Sequence, residues 1–97
     1  MTLVWVIYDI VKNKTRSKVV KICKDAGLYR VQKSVFLGDI NSNSRDSVIL
    51  EIESIIDPEA DSVYIFPMDK ATFEGITLLG QAFDKKYVSD EIITRFF

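Results

Sequence analysis

The chain has 97 residues, a single cysteine (Cys23) and no histidine, which fits one domain and removes His-based zinc sites, histidine general bases and every Ser-His or Cys-His dyad. An apolar fraction of 47% belongs to a globular protein rather than a disordered one, and no apolar run approaches the roughly 20 residues of a membrane span. The net charge of −1 hides an asymmetry: the first 36 residues hold eight basic and two acidic side chains, a local +6, while the remainder holds five basic and twelve acidic, a local −7. A basic N-terminal half offers a surface for phosphates, whereas the acidic half suits protein docking or plain solubility.

Met1 to Ile10 reads as the first strand. Val4-Trp5-Val6-Ile7-Tyr8 runs without a polar break, the pattern of a strand buried on both faces in the middle of a sheet. Asp9 then appears at its carboxyl end. The chain enters this strand with no charged n-region, h-region or cleavage site, so no signal peptide is expected, and the default compartment is the cytoplasm. Asn13 is the expected N-cap of a helix running to about Ala26, with Gly27 as its left-handed stop. Val19, Val20, Cys23 and Ala26 form its core face, and Lys14, Lys18, Lys21 and Lys24 its wet face. No acid precedes Asp25 in this helix, so its cations lack the usual i, i+4 partners.

Leu28 to Ile40 reads as two strands folded at Gln32-Lys33-Ser34, with Gly38 marking a bulge or a close backbone approach. Asn43 or Ser44 is expected to cap a second helix with the apolar stripe Val48, Ile49, Ile52, Ile55 and Ile56, ended by Asp57-Pro58. Ser62 to Pro67 is the next strand. The order strand, helix, two strands, helix, strand is that of an α+β, ferredoxin-like βαββαβ sandwich. Two helices on one sheet face leave the other bare, so a homodimer packed through that face is expected. Residues 1–68 form the core of the single domain and 69–97 a C-terminal extension. Within it, Lys70 to Leu79 reads as a turn or short helix and Asp84-Lys85-Lys86 as a loop. Glu91 to Phe97 reads as an extra strand added to a sheet edge at the dimer interface.

Three segments carry a family resemblance: V-I-Y-D-I at the end of the first strand, G-L-Y-R-V-Q-K-S-V-F-L-G after the first helix, and D-S-V-Y-I-F-P in the last core strand. Together, in this order and spacing, they resemble the CRISPR-associated protein two family, the small partner of the integrase that captures new spacers. The resemblance covers about Leu3 to Met68. It implies that Asp9 is the metal ligand and catalytic carboxylate, with Tyr8 as the aromatic before it. It further places Arg16, Lys18 and Arg30 among the family's basic residues and Ser34 and Phe36 at its Ser and Phe. Many members have further acids in the loop after the aspartate; this chain reads Ile10-Val11-Lys12-Asn13-Lys14 there.

Magnesium, or manganese in its place, suits a site of one or two carboxylates plus waters, and a two-fold axis would bring a second Asp9 to it. The plainer role for Asp9 is an Asx-turn at the strand-to-helix junction. Arg16, Lys18, Lys14 and Arg30 are the candidate nucleic-acid contacts, set against a solvated helix face for the lysines and a cross-sheet ion pair for Arg30. Ser34 and Phe36 read as a turn hydroxyl and a core ring, and Cys23 as a small hydrophobe. Two functions stay open. One is a metal-dependent endonuclease cutting RNA or DNA; the other is a non-catalytic dimeric adaptor that bridges integrase subunits and binds duplex DNA during spacer acquisition. A third reading is a toxin-type ribonuclease of the virulence-associated toxin D family.

Overall fold

The computed structural model describes residues 2–80. The expected strand Glu91–Phe97 and the loop Asp84-Lys85-Lys86 lie outside the described residues. The elements are β1 (Thr2–Asp9), α1 (Asn13–Asp25), β2 (Tyr29–Gln32), β3 (Val35–Ile40), α2 (Ser42–Glu53), β4 (Ser62–Met68) and α3 (Lys70–Glu74). One antiparallel sheet runs in the order β2-β3-β1-β4, the α+β ferredoxin-like arrangement that the element order predicts.

β1 is internal, with β3 on one side and β4 on the other. Its unbroken apolar run follows from that position, because strict alternation fills both faces. Val4, Val6 and Tyr8 join Val19, Cys23, Phe36, Val48 and Ile52 in the core beneath α1 and α2. Leu3 and Trp5 join Leu37 and Phe73 on the opposite face, with Ile7, Phe66 and Met68 packed against them. That second face is not bare, which corrects the sequence expectation. Phe73 of α3 is fully buried and its ring lies 6.1 Å from that of Trp5. A five-residue helix is too short to show hydrophobic periodicity, so this cover was unreadable from the pattern. Asp69 caps it, accepting the Thr72 N–H at 2.7 Å.

The helix limits differ from expectation at both starts and at the end of α2, which stops at Glu53 with Ser54 as its C-cap, before Ile55, Ile56 and Asp57-Pro58. Lys12, not Asn13, is the N-cap of α1 and makes no side-chain cap bond; Asn13 is the first helical residue. Asn41, rather than Asn43 or Ser44, caps α2, accepting the Ser44 N–H at 2.8 Å. Gly27 closes α1 at φ 94°, a conformation that disfavours a Cβ. Gly38 is a close approach and not a bulge: a Cβ there would meet the Leu28 side chain at 3.0 Å and its Cα at 3.1 Å. The irregularity in register falls between Arg30 and Gln32 instead.

Candidate functional site

Asp9 ends β1 and is exposed, opposite Ser62 of β4. Alternation puts it on the Leu3-Trp5-Ile7 side of the sheet, away from the two long helices. The three residues after it, Ile10 to Lys12, carry the chain into α1, and two side chains hold them. Arg16 donates from Nη1 to the Ile10 carbonyl at 2.8 Å and from Nη2 to Asn13 Oδ1. Asp61, which precedes β4, accepts the Val11 N–H on Oδ1 at 2.9 Å and the Asp57 N–H on Oδ2 at 2.9 Å. Those two donated bonds hold the Asp61 carboxyl below the usual carboxylate range. Arg16 is thus engaged by the loop behind Asp9, a task that sequence reasoning did not give it.

On the helix side of the sheet the β2–β3 turn folds back over the end of β1. The Tyr8 N–H donates to the Ser34 carbonyl at 3.1 Å. The Lys33 carbonyl collects three donors: the Tyr8 hydroxyl at 3.2 Å, Arg30 Nη2 at 2.7 Å and Arg30 Nε at 3.3 Å. Tyr8 is 3% exposed and its ring stacks near that of Phe36, centroid to centroid 6.3 Å. Burial pushes the Tyr8 phenol up from its ordinary value, against the opposing field of Arg30. The Arg30 guanidinium also stands 6.0 Å from the Phe36 ring centre. Tyr8, Arg30 and Phe36 therefore act together as a knot that fixes the turn, and Phe36 is fully buried. Burial likewise pushes the Cys23 thiol up to about 12, so it packs as a small hydrophobe.

The two sets of candidate residues share one end of the sheet but not one face. Arg16, Ser17, Val20, Arg30, Lys33 and Ser34 line a cleft of about 580 Å³ between α1 and the β2–β3 turn. Among the described residues its walls hold three cations and no acid. Lys33 is a member that sequence reasoning missed, having placed it only in the turn. Its one signal was its position beside Ser34 in the polar fold-back. Lys14 and Lys18 are exposed on α1. Asp9 faces the other side.

Among the described residues, a metal at Asp9 would find one exposed carboxylate at the end of β1. Among the described residues no group of three or more His, Cys, Asp or Glu side chains could hold an ion. That donor set fits magnesium, which keeps several waters and takes one or two carboxylates, and does not fit an all-protein cage. Among the described residues no helix is long and apolar enough to cross a membrane.

Residues 1–76 match the family model described as CRISPR associated protein Cas2. The CRISPR-associated endoribonuclease Cas2 of Desulforudis audaxviator is 43% identical over 63 residues, which is 65% of this chain and 59% of that protein, so the match spans less than two thirds of that relative's length. A CRISPR-associated endoribonuclease Cas2 of Chloroflexus aurantiacus is 32% identical over 79 residues, 81% of this chain and 93% of the relative. Among solved structures, Streptococcus pyogenes Cas2 at pH 6.5 aligns with a TM-score of 0.69 and 29% identity over 80% of this chain and 99% of that one. A match over residues 1–76, a range that includes the end of β1 and the β2–β3 turn, places the chain in the CRISPR-associated Cas2 family.

Proposed function

We propose that this protein is a magnesium-dependent endoribonuclease of the CRISPR adaptation machinery, in which Asp9 of each of two copies holds the metal. The observation that carries this reading is the exposed Asp9 carboxylate, fixed at the exit of the central strand by the ladder to Ser62 on one side and a doubly held loop on the other. The names of the relatives from Desulforudis audaxviator and Chloroflexus aurantiacus support the ribonuclease activity. Magnesium, or manganese, supplies Lewis acidity that polarises a phosphoryl oxygen and activates water. The chain's own residues do the remaining work. Asp9 binds and orients, Arg16 and Asp61 hold the loop behind it, and the exposed Lys14 and Lys18 draw in the phosphate backbone. Two copies related by a two-fold axis would present two Asp9 carboxylates, which repel until a cation lies between them. Cleavage of a short RNA and a short DNA duplex with magnesium, manganese or chelator tests the reading. Activity is expected to vanish in chelator and in Asp9→Asn, which keeps the shape and loses the charge. Undiminished cleavage in either refutes the metal role.

A second reading rests on a different observation. The cleft lined by Arg16, Arg30 and Lys33 lies on the face away from Asp9 and carries no acid. It suits a non-catalytic dimer that bridges integrase subunits and lays duplex DNA along α1 during spacer acquisition. Binding would then be non-specific and fall steeply with salt, because phosphate contacts release counterions. Spacer integration retained by Asp9→Ala, with no cleavage by wild type, favours this reading.

A further inference from the structure

The carbonyl of Ile10 and the N–H of Val11 belong to one peptide unit, the second after Asp9. Both of its polar groups are taken by charged side chains from different parts of the fold. Arg16 of α1 holds the oxygen at 2.8 Å, and Asp61 holds the hydrogen side at 2.9 Å. Hydrogen bonds with one ionised partner are about twice as strong as neutral ones, and here they act on opposite ends of one plane. Asp61 is itself anchored. Its second oxygen takes the Asp57 N–H at 2.9 Å, and its own N–H donates to the Asp57 carbonyl at 2.8 Å. Asp57 in turn accepts the Glu59 N–H on its side chain at 3.0 Å, so the whole turn after α2 is braced from within. Asp61 also immediately precedes Ser62, the residue opposite Asp9 in the ladder.

We propose that Asp61 is a positioning residue for Asp9: with Arg16 opposite, it clamps the peptide unit that leads out of the Asp9 strand and so fixes where the Asp9 carboxylate stands. The proposal rests on the metal-dependent reading of Asp9. Val11 gives an independent sign that the clamp is specific. Its side chain is 67% exposed, whereas Ile10 before it is buried in the core, so apolar packing holds the peptide on the Ile10 side and the polar bonds hold it on the Val11 side. A loop left to solvent at this point would let the carboxylate sample several positions. Misplacement of a catalytic group by an ångström costs on the order of 100-fold in rate.

The test uses the full chain, with Asp61→Ala, Asp61→Asn and Asp9→Asn beside wild type, a short RNA and saturating manganese. Asp61→Ala is expected to lose about 10-fold or more in kcat. KM is expected to stay within about two-fold, because Asp61 is not among the residues assigned to phosphate contact. Asp61→Asn keeps one oxygen for the Val11 N–H and is expected to recover part of the loss. Hydrogen exchange at the Val11 amide should speed up in Asp61→Ala while that of Val6, in the middle of β1, stays slow. Wild-type kcat in Asp61→Ala, or unchanged Val11 exchange, overturns the proposal. Should Asp61→Ala fail to fold, Asp61→Asn decides by the same two readings. A wild-type protein that cleaves nothing removes the metal reading and the positioning role with it. Active Asp61→Ala beside inactive Asp9→Asn removes the positioning role alone.

Discussion

At the Asp9 end of β1, the nearby Asp61 carboxylate has each oxygen bonded to a peptide N–H, and its carboxyl is held below the usual range. At the other end, Asp39 of β3 stands opposite Leu3, which is paired in turn with Met68. Both Asp39 oxygens are shielded from solvent and have no hydrogen-bond partner among the described residues. Loss of water pushes its carboxyl up, opposed first by the charge of the N-terminal amino group and then by the Thr2 amide. Two aspartates, one in the sheet and one just before its last strand, are thus driven in opposite directions. Donors decide the matter: a carboxylate supplied with N–H groups keeps its charge, and one walled in by apolar side chains is pushed towards its neutral form.

The largest expected effect comes from opening the apolar end. Leu3 is fully buried, and Leu3→Ala should cost about 2–5 kcal/mol in urea unfolding. It should also let water reach Asp39 and bring its titration back towards the ordinary value, which an NMR titration reads. A destabilised variant with an unmoved Asp39 would mean that Leu3 is not part of the shield. Next, Asp39→Asn should raise stability at pH 7 by about 1 kcal/mol, the low end for a shielded unpartnered charge, since the residue keeps some solvent contact.

The pH dependence has opposite signs for the two groups. Asp39 binds its proton more tightly when folded, so its contribution falls as pH rises from the ordinary carboxylate range through its raised pKa. Asp61 contributes fully above the ordinary range and loses its contribution as pH drops through its lowered pKa. Asp39→Asn should remove only the first slope, and Asp61→Asn only the second.

A smaller effect is expected at the donor-rich end. Tyr8→Phe deletes one of three donors to the Lys33 carbonyl, and Arg30 still satisfies it, so about 0.5–1 kcal/mol is lost. The smallest is Lys21→Ala, at the i, i+4 pair with Asp25 that corrects the expectation of unpartnered cations on α1. Its partner Asp25 lies 2.7 Å away, but the two side chains are 75% and 66% exposed, and no measurable shift of the urea midpoint is expected.

Much of this fold was legible because it follows from unbroken or periodic apolar runs. Val4 to Tyr8 announced a central strand, the stripe Val48-Ile52 a helix face, and Gly27 its neighbour's end. The errors have local causes. Asn13 and Asn43 are good capping types, but a cap depends on which residue leaves the helical dihedrals, and the chain does so at Lys12 and Asn41. Asp9 could be read as an exposed strand-end acid. Asp61 could not be singled out, because it lies in the acidic turn Asp57-Pro58-Glu59-Ala60-Asp61, where nothing in the pattern separates a structural carboxylate from a solvated one. Its partner Val11 is 50 residues away in sequence. The cover supplied by Phe73 was hidden for the same reason, since only the tertiary fold brings it to Trp5.

The central place of β1 also sets a timetable for synthesis. The strand that emerges first needs β3 on one flank and β4, Ser62–Met68, on the other. Translation at about 5–20 residues per second leaves the second flank empty for roughly 3–10 s after β1 has left the ribosome. During that interval the most apolar segment of the described chain is a strand with one open edge. Its β3 partner can zip up early through the α1 crossover, giving a three-stranded intermediate with β2 at one edge and the Asp9 strand itself open at the other. Nascent chains arrested before Ser62 should therefore bind trigger-type holdases and aggregate on release. Chains arrested with Met68 well clear of the exit tunnel should resist protease as a folded unit.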